Sequence, residues 1–168
     1  YAGDAVALVG TPTATFADAN VGTGKSVTIS GYTLSNANYT FVQPGLTANI
    51  TAKPLTITGL TVSDKTYDQT TAATISAMGS LSGAIIGDSV TLSNGLSAAF
   101  SSANVSLSGG VVQAQSIVLS GLTLTGSAAS NYSIAAPTVT AKINPKALTV
   151  SGVTVADKTY DGTTAATI

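Results

Sequence analysis

The chain has 168 residues with a formal net charge of −1, its six basic residues being Lys and its seven acidic residues Asp; His, Cys, Trp, Arg and Glu are absent. Without Lys or Arg clusters to neutralise phosphates, the composition argues against a nucleic-acid partner. Without His, Cys and Glu, acid–base catalysis would fall to Asp with Lys or Tyr, so no enzyme activity and no cofactor are expected. No apolar run approaches the ~18 residues of a membrane span, so no direct membrane insertion is expected. The lack of Cys is compatible with export as an unfolded thread.

Taken in chain order, the apolar positions alternate with period two and predict strands throughout. Val27 and Ile29 alternate with polar residues, then Tyr32 and Leu34 resume on the opposite parity after Ser30-Gly31. Leu55 and Ile57 behave alike before Thr58-Gly59, Ile117 and Leu119 before Ser120-Gly121, and Ser151-Gly152 repeats the signal. A bulge occupied by Gly shifts parity in this way; a tight turn is the alternative. Val90–Leu92 and Leu96–Phe100 flank Asn94-Gly95, a hairpin signal because a type I′ turn needs positive φ at both positions. Residues 48–54 and 141–147 each carry a Pro and read as short, ordered junctions.

The chain repeats itself. Leu55–Ile75 returns as Leu148–Ile168, an offset of 93 residues. Gly3-Asp4 matches Gly87-Asp88, and Phe16 and Asn20-Val21 match Phe100 and Asn104-Val105, at an offset of 84. Gly31 matches Gly121 at 90, and Asn38-Tyr39 matches Asn131-Tyr132 at 93. The offset grows at two places, both expected to be loops. A unit of about 90 residues with variable loops has the size of an independent β-sandwich and not of a solenoid coil. The expected organisation is residues 1–54 as the later part of one module, 55–147 as a complete module and 148–168 as the opening of the next. Ile168 corresponds to Ile75 and Tyr1 to Ile85, so the two partial pieces together lack only the counterpart of 76–84. They read either as a window on a longer array or as a device in which 148–168 of one chain completes 1–54 of a neighbour.

The string Lys158-Thr-Tyr-Asp-Gly-Thr-Thr164, with Gly-Asp-Ser-Val at 87–90, Ala-Asn-Val at 19–21 and 103–105, Ser-Gly-Leu-Thr-Leu at 120–124 and Ala-Lys-Ile-Asn-Pro-Lys at 141–146, resembles the YDG-type tandem repeat of large bacterial surface proteins, similar to filamentous-haemagglutinin-like adhesins. The resemblance implies an exported array at the cell surface, acting as stalk or adhesive fibre. The fold expected is all-β, with tandem Ig-like antiparallel β-sandwich modules of seven or more strands. The first string departs at Gln69, where the second has Gly162; if that position required positive φ, Gln would be strained. Either the turn tolerates negative φ or the first string differs locally.

Lys65, Tyr67 and Asp68, with Lys158, Tyr160 and Asp161, form the densest polar cluster. One reading is an internal isopeptide bond, with Asn131 or Asn104 supplying the amide. The other is a structural turn, in which Asp accepts backbone hydrogen bonds two residues on and Tyr packs its ring. Asp64, Asp68 and Asp88 would serve calcium only if they converged, and the spacing lacks a calcium-loop pattern. Asn38, Asn49, Asn104 and Asn131 match the N-glycosylation acceptor pattern, which chance supplies readily in so Ser/Thr-rich a chain. Gly22-Thr-Gly24-Lys25-Ser26 echoes a phosphate loop with the wrong spacing.

These readings favour a non-catalytic stalk or spacer of an extracellular or bacterial cell-surface adhesin, partnered by neighbouring repeats. The alternatives are a self-assembling filament of copies of the chain and an adhesive module for host or matrix glycans or proteins. Ice binding is disfavoured, because a flat Thr ladder needs many identical coils.

Overall fold

The computed structural model describes residues 3–168; Tyr1, the expected counterpart of Ile85, lies outside them. Among the described residues the regular structure is all β, interrupted by a single 3-10 turn at Ala129–Asn131.

The first three strands, Leu8–Phe16, Gly22–Leu34 and Leu46–Ile50, form an antiparallel sheet with Gly22–Leu34 in the middle. Lys25, Val27 and Ile29 turn one way along the central strand, and Tyr32 and Leu34 continue the half-buried face after a parity switch. The switch is a bulge: the register steps from Gly10↔Tyr32 to Thr13↔Ser30, so Thr11 and Pro12 oppose Gly31 alone. Gly31 has φ 88°, and a Cβ there would lie 2.3 Å from the Thr11 carbonyl oxygen, so a side chain has no room.

The next residues build two further layers. Lys53–Val62 pairs antiparallel with Ile75–Ser82 and parallel with Tyr132–Ile134. A second sheet runs Thr140–Ala141, Gln115–Ser120, Ser97–Phe100, Ala72–Ala73 in spatial order. Leu60, from the first of these sheets, packs with Phe100, Ile117, Val139, Ala141 and Ile143, and Ile143 is fully buried. A smaller cluster joins Leu55, Ala128 and Tyr132. Among the described residues, every buried apolar side chain lies between Leu55 and Ile143.

The same pairing scheme occurs twice. Leu8↔Leu34, Ala14↔Ile29 and Phe16↔Val27 in the first sheet become Leu92↔Leu124, in a separate two-stranded pair of Thr91–Leu92 with Leu124–Thr125, and Ala98↔Leu119 and Phe100↔Ile117 in the second sheet. Lys25↔Ala48 and Ser26↔Thr47 become Gln115↔Ala141 and Ser116↔Thr140. The glycine bulge returns as well: Gly121 has φ 72°, and its Cβ would meet the Gly95 carbonyl oxygen at 2.2 Å. The offset steps fall at surface features. The first coincides with a small hairpin, Leu107–Ser108 with Val111–Val112, turned by Gly109-Gly110 at φ 57° and 79°. The second coincides with the 3-10 turn.

Three sequence expectations are corrected. Asn94-Gly95 makes no hairpin. Thr91–Leu92 and Ser97–Phe100 instead pair with the same partner run, Leu124–Thr125 and Gln115–Ser120, and the Asn-Gly lies in the irregular step between them. Neither residue has positive φ, and the Ser93 hydroxyl accepts the Gly95 N–H. The sheets are also not wholly antiparallel, because Tyr132–Ile134 lies parallel to Lys53–Leu55 and Ile143–Asn144 parallel to Lys65–Thr66. At Gly59 there is no register step. Gly59 and Gly79 stand opposite each other in register, both at positive φ, and a Cβ on Gly79 would meet the Thr58 carbonyl oxygen at 2.6 Å.

Candidate functional site

The Lys-Thr-Tyr-Asp string folds into a clasp. The Asp68 carboxylate oxygen Oδ1 accepts the Thr70 N–H at 2.9 Å and the Thr70 hydroxyl at 2.9 Å. Lys65 Nζ donates to Asp68 Oδ1 at 2.7 Å, to the Thr70 carbonyl at 2.7 Å and to the Thr70 hydroxyl at 3.0 Å. The ammonium lies 5.5 Å from the centroid of the Phe100 ring, within cation–π range. Lys65 first, then the Thr70 N–H and hydroxyl, hold the Asp68 carboxyl down at about 2.

The second string makes the same clasp. Lys158 Nζ reaches Asp161 at 2.8 Å and the Thr163 carbonyl and hydroxyl at 2.9 and 3.0 Å, while Asp161 accepts the Thr163 N–H and hydroxyl. Lys158 likewise lowers the Asp161 carboxyl. The two strings differ completely in surroundings, because Leu55–Tyr67 lines a core while 148–168 forms no strand. A geometry indifferent to its surroundings is encoded by the string itself. Position 69 settles the earlier alternatives in an unexpected way: Gln69 adopts φ 70°, as Gly162 adopts 74°, and is the only non-Gly residue at positive φ among those described. The turn needs the left-handed conformation, and Gln accepts it.

The remaining candidates are placed apart. Asn104 and Asn131 are not brought to Lys65. The Asn104 carbonyl accepts the buried Gln115 amide at 2.7 Å. Asn49 Oδ1 accepts the Gly24 N–H, and Asn38 sits in a turn capped by the Asn36 side chain. Asp64 accepts the Lys142 N–H at 2.6 Å, and Asp88 accepts the Tyr132 hydroxyl at 2.5 Å. Asp64, Asp68 and Asp88 therefore have separate partners, and no group of three metal-binding side chains occurs among the described residues. Lys25 lies in a strand, paired with Asp18 and the Asn20 carbonyl, with no helix beside it to cradle a phosphate.

Two features escaped the sequence reading. Tyr132 donates to Asp88 while accepting the Ile85 N–H, and Tyr39 donates to Asp4 at 2.7 Å. The same strut thus appears in both repeats, and in each the carboxylate raises the phenol's pKa. The signal was present, because Gly-Asp and Asn-Tyr recur together. The second feature is a joint. Asn131 Oδ1 accepts the Val21 N–H at 2.9 Å, and Asn131 Nδ2 donates to Asn20 Oδ1 at 3.1 Å. These bonds tie the loop after Phe16 to the next repeat, over a hollow of about 320 Å³ lined by Val21, Ile50, Lys53, Asp88 and Tyr132. Val105, Pro145, Lys146 and Leu148 line a corresponding hollow at the following junction.

The arrangement offers braces and a joint: Asp18, Asp68 and Asp161 pair with lysines, Asp4 and Asp88 with tyrosine hydroxyls, and Asp64 with a backbone N–H. No match is found among curated proteins or among solved structures. The family description "YDG domain" matches residues 1–48 and again 51–141, most of the chain. The chain belongs to the YDG domain family.

Proposed function

We propose that the chain is a length of tandem, Ig-like sandwich array that serves as a non-catalytic stalk or spacer in an exported bacterial surface adhesin or fibre. The observation that carries this reading is the double occurrence of one strand-pairing scheme, from Leu8↔Leu34 to Phe16↔Val27 and from Leu92↔Leu124 to Phe100↔Ile117. The Asn20–Asn131 joint supports it, since side-chain bonds between successive repeats restrain their relative orientation. The locally encoded clasp supports it further, because a string that folds alike in different surroundings suits a unit used many times. Small-angle scattering on polypeptides carrying increasing numbers of the 55–147 sequence tests the reading. A radius of gyration that climbs in near-equal steps is expected, and one that stays flat would refute a spacer.

A further inference from the structure

Asn94-Gly95, which makes no hairpin, lies in an exposed turn between Thr91–Leu92 and Ser97–Phe100. Leu92 pairs with Leu124 and Ser97 with Ser120, so the four residues 93–96 oppose the three residues 121–123. The Gly95 nitrogen stands outside the strand ladder. Its N–H donates to the Ser93 hydroxyl at 3.2 Å, a rotatable partner and not a carbonyl of a neighbouring strand. Residue 95 has no side chain to shield that nitrogen. The other seven Asn residues are placed differently. Each precedes a residue with a side chain, and Asn144 precedes Pro145, which has no N–H. The N–H after Asn20 is bonded to Asn131 Oδ1, the one after Asn38 to the Asn36 carbonyl and the one after Asn131 to the Ala129 carbonyl.

We propose that Asn94-Gly95 is a site of self-modification, where the chain converts its own side-chain amide to an acid with water as co-reactant. This goes beyond the spacer reading and is independent of it. The Gly95 nitrogen, having lost its proton to solvent base, attacks Asn94 Cγ. A carbon–nitrogen bond forms, the Cγ–Nδ2 bond breaks, and ammonia leaves a cyclic succinimide. Water then opens the ring. Opening at Cγ leaves Asp; opening at the main-chain carbonyl leaves an isoaspartyl, whose chain path is longer by one atom. Asn is among the thermolabile residue types, and here its neighbour leaves the attacking atom unshielded. The fold makes the longer path consequential. On one side of Asn94 the Ser93 N–H is bonded to the Thr123 carbonyl at 2.9 Å. On the other, the Gly95 carbonyl oxygen lies so close to Gly121 that a Cβ there would stand 2.2 Å from it. Both anchors belong to the same partner run, so an added main-chain atom between them displaces one or the other. Ser97–Phe100 follows directly, and Phe100 is buried in the core. The product also joins the seven Asp as one further acid, taking the formal net charge from −1 to −2. The corresponding pair in the first repeat is Gly10-Thr11, so the reaction is confined to the second.

The test incubates the folded full chain at neutral and at alkaline pH and follows it by peptide mass mapping, with fragmentation that separates Asp from isoaspartyl. A gain of about 1 Da, the exchange of an amide NH2 for a hydroxyl, should accumulate at Asn94 ahead of the other seven Asn. It should be faster at the higher pH and matched by released ammonia. Gly95→Ala should suppress the gain over the same interval. That variant fits the fold, because Gly95 is not at positive φ and its Cβ would stand 3.6 Å from Ser93 Oγ, an ordinary contact. The isoaspartyl form, separated by ion exchange, should unfold at lower urea than the fresh chain and exchange its Ser93 amide faster. Freshly prepared Asn94→Asp carries the charge without the longer path and should keep both values. Modification spread evenly over the Asn residues, no gain at Asn94, or an unchanged rate in Gly95→Ala would overturn the site. An isoaspartyl form as stable as the fresh chain would overturn its coupling to the strand step.

Discussion

Gln69→Gly is expected to stabilise the protein. Gln69 holds φ 70° in the clasp turn, where the second string has Gly162 at 74°. A Cβ in the left-handed region costs roughly 1–2 kcal/mol, and Gly removes that cost. Gly also enlarges the unfolded ensemble, which returns roughly 0.4–1 kcal/mol. The Gln69 side chain is exposed and adds little to offset. The net gain is therefore about 0.5–1 kcal/mol, or a rise of about 3–6 °C in Tm for a unit of this size. Thermal and urea unfolding of the full chain measure it, with Gln69→Ala as control. Ala keeps the Cβ and should give no gain. If Gln69→Gly left Tm unchanged or lowered it while Gln69→Ala matched it, the left-handed turn would not be the source of strain.

Gly121→Ala should destabilise by at least about 2 kcal/mol, because handedness and a Cβ 2.2 Å from the Gly95 carbonyl add together, whereas Gly152→Ala, at φ 77° with open space around it, should cost about 1 kcal/mol or less in the same unfolding assay. Ile143→Ala should cost about 2–5 kcal/mol from a fully buried site, and Ile50→Ala, its half-buried counterpart, visibly less. Asp68 has a folded pKa of about 2, below its ordinary value of 3.8, so the clasp's contribution is fully present above pH 4 and is lost as pH falls toward 2; Asp68→Asn should flatten that acid limb in urea midpoints measured against pH. Asn131→Ala should leave the cores intact and speed amide exchange at Val21 by about three- to tenfold, the value of one lost hydrogen bond.

What the sequence revealed was whatever is settled within a few residues. The Ser-Gly parity breaks at 30–31 and 120–121 are bulges because the flanking alternation already encodes two faces. The Asp68-to-Thr70 turn was legible for the same reason, since a carboxylate two residues upstream reaches the N–H unaided. The partners that Lys65 takes were not read, although three acceptors lie within five residues of it. Gly109-Gly110, between Leu107-Ser108 and Val111-Val112, was an available hairpin signal, while the stronger-looking Asn94-Gly95 was overruled by pairing with residues more than twenty positions away. The parallel pairs of Lys53–Leu55 with Tyr132–Ile134 and of Lys65–Thr66 with Ile143–Asn144 join distant segments, and period-two patterns carry no information on strand direction. Repetition compensated in part. Once Leu8–Ile50 is aligned with Leu92–Ile143, the pairing of either sheet predicts the other.

That equivalence is most directly tested by solution NMR of the full chain. Cross-strand nuclear Overhauser contacts should appear in both repeats at matching positions, Phe16 with Val27 and Phe100 with Ile117, Leu8 with Leu34 and Leu92 with Leu124. Contacts in the second repeat with a different register, or none, between Leu8–Phe16 and Gly22–Leu34 would contradict one pairing scheme used twice.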